Sequence, residues 1–562
     1  MNIFDEIITY NKFIMSKLLL VFILLFLSGL SSIQAQQKDS PKLVIGIVID
    51  QMCYEYLFRF QEKFGKDGFV KLMNGGTHCR NTQYNYVPTF TGPGHASIYT
   101  GTTPNNHGIV GNDWFDRNIG KNVNCVDDST VQGVGTTSIE GNCSPYYLKA
   151  NTITDQLRLT YPNSKVISMS IKDRGAILPG GHLSNGSYWF DYSSGNFVTS
   201  SYFEKELPFW VTNFNAKKHP LNALTQTWNT LNDISTYTES GPDNAPYEEL
   251  LAGKTTPTFP YDLKAMSGGL PTYNLFTSSP FANTFLADFA IESIYQEMLG
   301  QDKQTDFLCI SFSTPDIVGH AFGPYSVEME DLYIRLDLEI AKLIKELEER
   351  VGKDKFVLFL TADHAVVPNP QYLIDKKLPG GFMFKEANLI LLDEEIKATF
   401  GADLILTVVN NNIYLDHETI DVLKINKVAV ENLIAERVSN WEGVKCVFTS
   451  EQLNNSSEDN SWRDMIRLGY VANESGDLIY MLEPGFLPKS SDTEESRKGT
   501  SHGSAFNYDT HVPLIWYGKN IKKQEIFRRI DIIDIAATLT HILYLQKPNA
   551  TTGEPILELL EK

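Results

Sequence analysis

Thr91 stands in the stretch Val87-Pro-Thr-Phe-Thr-Gly-Pro-Gly-His95, which runs on through Thr100-Gly101 to His107-Gly-Ile-Val-Gly-Asn112. The pattern reads as a hydroxyl nucleophile mounted at the start of a helix. Pro93 suits the first helical turn, where its missing N–H costs nothing. Free N–H groups in that turn favour an anion beside the hydroxyl. A threonine hydroxyl is a weak nucleophile at neutral pH, so an adjacent base or a metal must activate it. A plain turn with Thr89 or Thr91 as its N-cap is the competing reading.

The residues that could activate it follow a series of apolar runs. Lys42-Leu-Val-Ile-Gly-Ile-Val-Ile-Asp50 has the pattern of a strand buried on both faces and ends in an aspartate. The runs 165–171, 307–313 and 355–360 lead into Lys172-Asp-Arg174, Thr314-Pro-Asp316 and Thr361-Ala-Asp363-His364, and 511–517 is a fifth strand. Helical periodicity marks 283–299, 327–351 and 531–545 between and after them. Strands alternating with helices predict an α/β fold with a mainly parallel central sheet flanked by helices. Such a sheet binds its ligand at the carboxyl ends of its strands. One aspartate after a strand is an ordinary turn residue. Asp50, Lys172, Arg174, Asp316, Asp363 and His364 together are much harder to assign to turns.

Asp316 and His320 share one face of a helical turn and could hold the same metal. Asp363 and His364 are adjacent and could serve one tight site or two. Mixed aspartate and histidine ligation without thiolate favours zinc, with manganese or iron as alternatives. All-oxygen calcium or magnesium cages fit poorly.

Asp50, Thr91-Gly-Pro-Gly-His95, His107-Gly-Ile with Asn112, Lys172-x-Arg174, Asp316-x-x-x-His320, Asp363-His364 and Ser501-His502-Gly503 occur in the order seen in the alkaline phosphatase superfamily. The set most resembles the threonine-nucleophile alkaline phosphatases of the bacterial periplasm. The nucleotide pyrophosphatase/phosphodiesterase branch is similar too. The resemblance implies two zinc ions, one on Asp316, His320 and His502, the other on Asp50, Asp363 and His364 with Thr91 as the activated nucleophile. It implies that Asn112, Lys172 and Arg174 contact the phosphoryl oxygens. His502 is preferred over nearby His511 as ligand, because a glycine follows it and it lies in the loop before the last strand. His95 and His107 are expected to orient loops, and His182 is weighed as a residue that lines the pocket.

Length and composition set the frame. The 562 residues can form one large core with insertions. The expected organisation is a leader over 1–35 and a catalytic domain over 36–562, with cap regions inserted at about 191–278 and 398–488. The net charge of −20, with no long basic run, argues against a nucleic-acid polymer as partner. Met15-Ser-Lys17 before the apolar run 18–27 has the form of an export signal, with cleavage expected after Ala35 and Met15 as the start. The run is short for a membrane span, and no cysteine at the cleavage point suggests a lipid anchor. These features predict an exported periplasmic protein without a stable membrane anchor. Six scattered cysteines leave room for a Cys125–Cys143 disulfide in an oxidising compartment.

The expected chemistry is hydrolysis of small-molecule phosphate monoesters through a phosphothreonine at Thr91. Lys172 and Arg174 favour the dianionic monoester over a diester. A phosphodiesterase or nucleotide pyrophosphatase on the same scaffold is the alternative, and a non-catalytic binding protein the third reading.

Overall fold

The computed structural model describes residue 17, residues 40–455 and residues 461–560. The expected export signal lies outside the described residues apart from Lys17. An eleven-stranded sheet organises the chain. Its strands are β1 (Leu43–Ile49), β2 (Thr77–Gln83), β3 (Gly133–Val134), β4 (Val166–Ser170), β5 (Gly186–Asp191), β6 (Asn196–Ser200), β7 (Asp306–Phe312), β8 (Phe356–Thr361), β9 (His511–Gly518), β10 (Gln524–Ile526) and β11 (Ile530–Asp531). The spatial order is β10-β2-β9-β8-β1-β7-β4-β5-β6-β3, with β11 also on β2. The five strands β8-β1-β7-β4-β5 are parallel. β9 joins β8 antiparallel.

Register explains why distant sequence motifs meet. Ile49 of β1 lies beside Phe312 of β7, and Val48 lies beside Thr361 of β8. Ser311 of β7 lies beside Ser170 of β4. Asp50, Lys172, Asp316 and Asp363 therefore all leave the sheet at one end. The strands can sit in the middle of the molecule because they are apolar on both faces: every residue of β1, β7 and β8 is buried. Each fully buried valine, leucine or isoleucine side chain contributes about 1.5–3 kcal/mol.

Helices cover both faces. Those that matter for the site are α1 (Thr91–Thr100), α2 (Asp173–Gly180), α3 (Phe281–Gln296), α4 (Thr314–Phe322), α5 (Val327–Leu347) and α6 (Asp534–Leu543). α3, α5 and α6 are the three helices read from periodicity. α5 stops earlier than its apolar pattern, at Leu347, and a wider turn continues over Glu348–Gly352.

The segment after β6 carries short helices, Phe209–Ala216 and His219–Ala223, and a two-stranded ribbon of Thr227–Trp228 with Tyr261–Asp262. Its aromatic residues Trp210, Phe214, Trp228 and Tyr261 join the main core. A second segment has its own four-stranded sheet, ordered Ile405–Val409, Asn412–Leu415, Leu478–Leu482, Val444–Thr449, and its own apolar core around Ile413, Val430, Ile434 and Leu478. The turn between its first two strands reaches the site. Cys125 and Cys143 are free, buried thiols, and the Cys143 thiol donates to the Glu140 carbonyl at 3.3 Å, so the disulfide expected there is not formed.

Candidate active site

Thr91 is the first residue of α1, after an extended Phe90, and no side chain caps the helix. Gly101, in the left-handed region at φ 70°, ends it. The helix can approach β8 because Gly94 has no side chain: a Cβ there would lie 2.3 Å from the Asp363 carbonyl oxygen. Thr91 is 1% exposed, and its Oγ1 lies 3.4 Å from Lys172 Nζ and 3.5 Å from His364 Nε2. Thr89 is differently engaged, its hydroxyl donating to the Ser504 carbonyl at 3.0 Å. The geometry thus distinguishes the two threonines.

Three imidazoles are held in one orientation. Nδ1 of His320, His364 and His502 lies 2.8, 3.0 and 2.7 Å from the carbonyls of Thr500, Ala365 and Thr89. A carbonyl can only accept, so Nδ1 carries a proton in each ring and Nε2 is the nitrogen left for a ligand. Those atoms face carboxylates: His320 Nε2 is 3.2 Å and His502 Nε2 3.5 Å from Asp316 Oδ1, and His364 Nε2 is 3.4 Å from Asp50 Oδ1. The His364 and His502 rings stack with centroids 3.5 Å apart.

Two groups have the donor set and spacing of a metal site, Asp316–His320–His502 and Asp50–Asp316–His364. The first is the expected trio. The second has Asp316 where the resemblance places Asp363. Lys172 accounts for the difference, because its Nζ pairs with both Asp50 Oδ2 (2.7 Å) and Asp316 Oδ2 (2.5 Å) and draws those carboxylates together. Asp363 remains beside them, its Oδ2 3.7 Å from His364 Nε2. Asp50 Oδ1 and Asp363 Oδ2 are buried and, among the described residues, have no hydrogen-bond partner. Such atoms are costly unless a ligand satisfies them, and a divalent cation fits them.

The electrostatics match. Burial, with Asp316 and Asp363 nearby, raises the Asp50 carboxyl above its ordinary value. Burial opposes charge on Asp316 too, yet His320 and Lys172 hold its carboxyl well below the usual range. Burial pushes His95 down to about 4, so this ring is neutral. It orients its surroundings, with Nδ1 at 2.9 Å from the Thr91 carbonyl and Nε2 at 2.8 Å from Ser311 Oγ. His107 holds Ser97 Oγ at 2.9 Å.

The expected oxyanion contacts surround Thr91. Asn112 Oδ1 accepts the Gly92 N–H at 2.7 Å, which leaves its NH2 group as a donor beside the start of α1. Lys172 caps α2 and Arg174 lies in its first turn. Arg174 Nε is buried and has no partner, although Nη1 lies 3.4 Å from Asp173 Oδ1. Two weighed residues lie elsewhere. His182 is tied to Asp155 Oδ2 (3.0 Å) and the Leu148 carbonyl (2.9 Å), and a ring fixed by both nitrogens has no donor left for a ligand. His511 stacks on Tyr54 at 4.2 Å, with Nε2 3.2 Å from the Arg80 carbonyl.

Sequence reasoning missed Gln51. It is fully buried at φ 66°, in the left-handed region that a non-glycine residue rarely adopts. Its N–H donates to Asp363 Oδ1 at 3.2 Å and its Nε2 to Asp316 Oδ1 at 2.6 Å, so one residue braces two site carboxylates. The only signal was an amide beside Asp50.

The model of the type I phosphodiesterase / nucleotide pyrophosphatase family matches residues 44–505. The chain belongs to this family. The family is a branch of the alkaline phosphatase superfamily, and the mainly parallel α/β fold is the one expected of it. The chain is 40% identical to alkaline phosphatase PafA of Elizabethkingia meningoseptica, over 92% of its own length and 94% of that protein's. It is 39% identical to alkaline phosphatase PhoV of Synechococcus elongatus, over 94% and 95%. The crystal structure of wild-type PafA matches with a TM-score of 0.88 at 38% identity, covering 93% of this chain and 99% of that one. A solved PafA variant carries substitutions at a threonine, an asparagine, a lysine and an arginine. The threonine-to-asparagine and lysine-to-arginine intervals equal those from Thr91 to Asn112 and from Lys172 to Arg174.

Proposed function

We propose that this protein is a zinc-dependent alkaline phosphatase that hydrolyses phosphate monoesters through a phosphothreonine at Thr91. The observation that carries the reading is the convergence of three Nε2 lone pairs and two unpartnered buried carboxylate oxygens beside the Thr91 hydroxyl. Asp316, His320 and His502 would hold one ion, and Asp50, Asp363 and His364, with Thr91, the other. Bound zinc lowers the pKa of a hydroxyl and neutralises charge on a departing oxygen.

The chain's own residues supply positioning and charge. Phosphoryl transfer has a loose transition state, so orientation and electrostatics dominate. Asn112 Nδ2, Lys172 Nζ and the Arg174 guanidinium hold the non-bridging oxygens. Thr91 Oγ1 bonds to phosphorus as the ester oxygen leaves, and water then releases phosphate from Thr91. Arginine gives a forked contact and lysine a compact charge, both matched to a dianion. Lys172, now shared by Asp50 and Asp316, is near enough to Thr91 to pass from carboxylate to phosphoryl oxygen.

The leader over 1–35 supports export to the periplasm. No described helix is long and apolar enough to cross a membrane. A phosphodiesterase on this scaffold is the alternative, suggested by the family's description. Comparing kcat/KM for an aryl phosphate monoester and its methyl diester on zinc-loaded protein separates the two. Monoester preference is expected, and a strong diester preference overturns the reading.

A further inference from the structure

A cavity of about 320 Å³ opens beside the site, between the sheet end and the second inserted segment. It is bounded on the site side by Phe90, Asn112, His320 and His502. Asp50, Lys172, Arg174, Asp363 and His364 do not border it. It therefore adjoins the Asp316–His320–His502 group. In-line displacement by Thr91 expels the ester oxygen on the side away from the hydroxyl, and His320 and His502, which border this cavity, belong to the metal group that would not hold Thr91.

The far wall has a definite chemistry. Ile479, Met481, Leu482, Phe486 and Leu487 make it apolar. Its polar edge is the turn Asn410–Asn411, with φ of 50° and 63°, the conformation of a tight hairpin turn for which asparagine is suited. Asn410 Nδ2 donates to the Asp113 carbonyl at 2.7 Å and the Tyr480 N–H to the Asn411 carbonyl at 3.1 Å, which fixes the turn against the loop that carries Asn112. Among the described residues, the Asn411 side-chain amide has no partner. Among the described residues, no lysine or arginine borders the cavity, and its carboxylates are Asp113 and Asp509. His320 and His502 hold carbonyls through Nδ1 and turn Nε2 toward Asp316, so they add no charge to the far wall. A carboxylate carried to the far wall would lose its water with no lysine or arginine there to replace it.

We propose that this cavity is the leaving-group pocket and selects monoesters of uncharged, ring-bearing alcohols, with Asn411 hydrogen-bonding a polar substituent, over monoesters whose alcohol carries a second anionic group. The volume suits one ring with a substituent. The proposal rests on the phosphatase reading above.

The test uses 4-carbamoylphenyl phosphate and 4-carboxyphenyl phosphate, which share shape and differ in charge, on zinc-loaded wild type, Asn411→Lys and Asn411→Gly. Lysine is tolerated in that conformation, since Lys218 and Lys424 hold φ of 53° and 55° in this chain. Wild-type kcat/KM should favour the carbamoyl ester by about tenfold or more, the scale of one uncompensated charge contact. Asn411→Lys should shrink that ratio by about tenfold, a comparison in which the intrinsic reactivities of the two esters cancel. Asn411→Gly should lower kcat/KM for the carbamoyl ester more than for phenyl phosphate. Equal turnover of the two esters by wild type, or a ratio that Asn411→Lys does not move, overturns the pocket while leaving the phosphatase reading intact. Turnover of neither ester overturns both.

Discussion

Lys172 Nζ lies 3.4 Å from the Thr91 hydroxyl and 2.7 Å from Asp50 Oδ2, so one ammonium touches both that hydroxyl and a buried carboxylate. Burial opposes its charge, but Asp316 and Asp50 outweigh that and raise its pKa above the ordinary lysine value. It stays a cation throughout the working pH range. A phosphoryl group at Thr91 gives it a third anionic partner and a reason to leave the carboxylates.

Thr91→Ala removes the proposed nucleophile without touching a histidine or carboxylate. Turnover of an aryl phosphate should fall by about a thousandfold or more, while zinc content, measured by mass spectrometry of the metal, stays near wild type. Thr89→Ala, which loses only the bond to Ser504, should cost far less.

Arg174→Ala should damage monoester hydrolysis selectively. Its unpartnered buried Nε is the donor available to a dianion. A hydrogen bond to a charged group contributes about 1.5–3 kcal/mol, so monoester kcat/KM should drop by about 10–100-fold. Diester kcat/KM, assayed side by side, should drop by less.

Gln51→Gly separates a side-chain role from a backbone one. Glycine adopts φ 66° freely, which offsets part of the cost of losing a buried side chain, so the fold should survive the change. Asp316 loses its 2.6 Å donor, and zinc affinity, read by competition with a chelator, should fall about 10–100-fold. Unchanged affinity would show that Gln51 only fills space.

Much of this was legible in the sequence, for physical reasons. β1, β7 and β8 are apolar throughout because both faces are covered, and a continuous apolar run ending in aspartate announces that. Asp316 and His320 were readable as a pair because helical spacing puts them on one face. His502 could be preferred over His511 only by context, since it comes to the site through the stacking on His364 and the bond to Thr89. The sharing of Asp316 between two groups was not readable, because it depends on where the Lys172 ammonium settles. Gln51 was missed because its role needs a left-handed backbone that no spacing encodes. The Cys125–Cys143 spacing suggested a bond that the Cys143–Glu140 contact replaces.

Acid should weaken the fold through histidines outside the candidate site. Burial pushes His107 down to about 3 and His78 to about 4, from an ordinary 6.5. The unfolded chain therefore binds more protons than the native one between pH 6.5 and 4, and stability must fall as pH drops through that window. Thermal melts of the zinc-loaded protein across that range check it, and His78→Phe should flatten the dependence.

The central claim is covalent catalysis at Thr91. Zinc-loaded protein mixed with an aryl phosphate monoester, quenched in acid during turnover and mapped by peptide mass spectrometry should carry one phosphoryl group on Thr91. Phosphate on another residue, or undiminished turnover by Thr91→Ala, would contradict it.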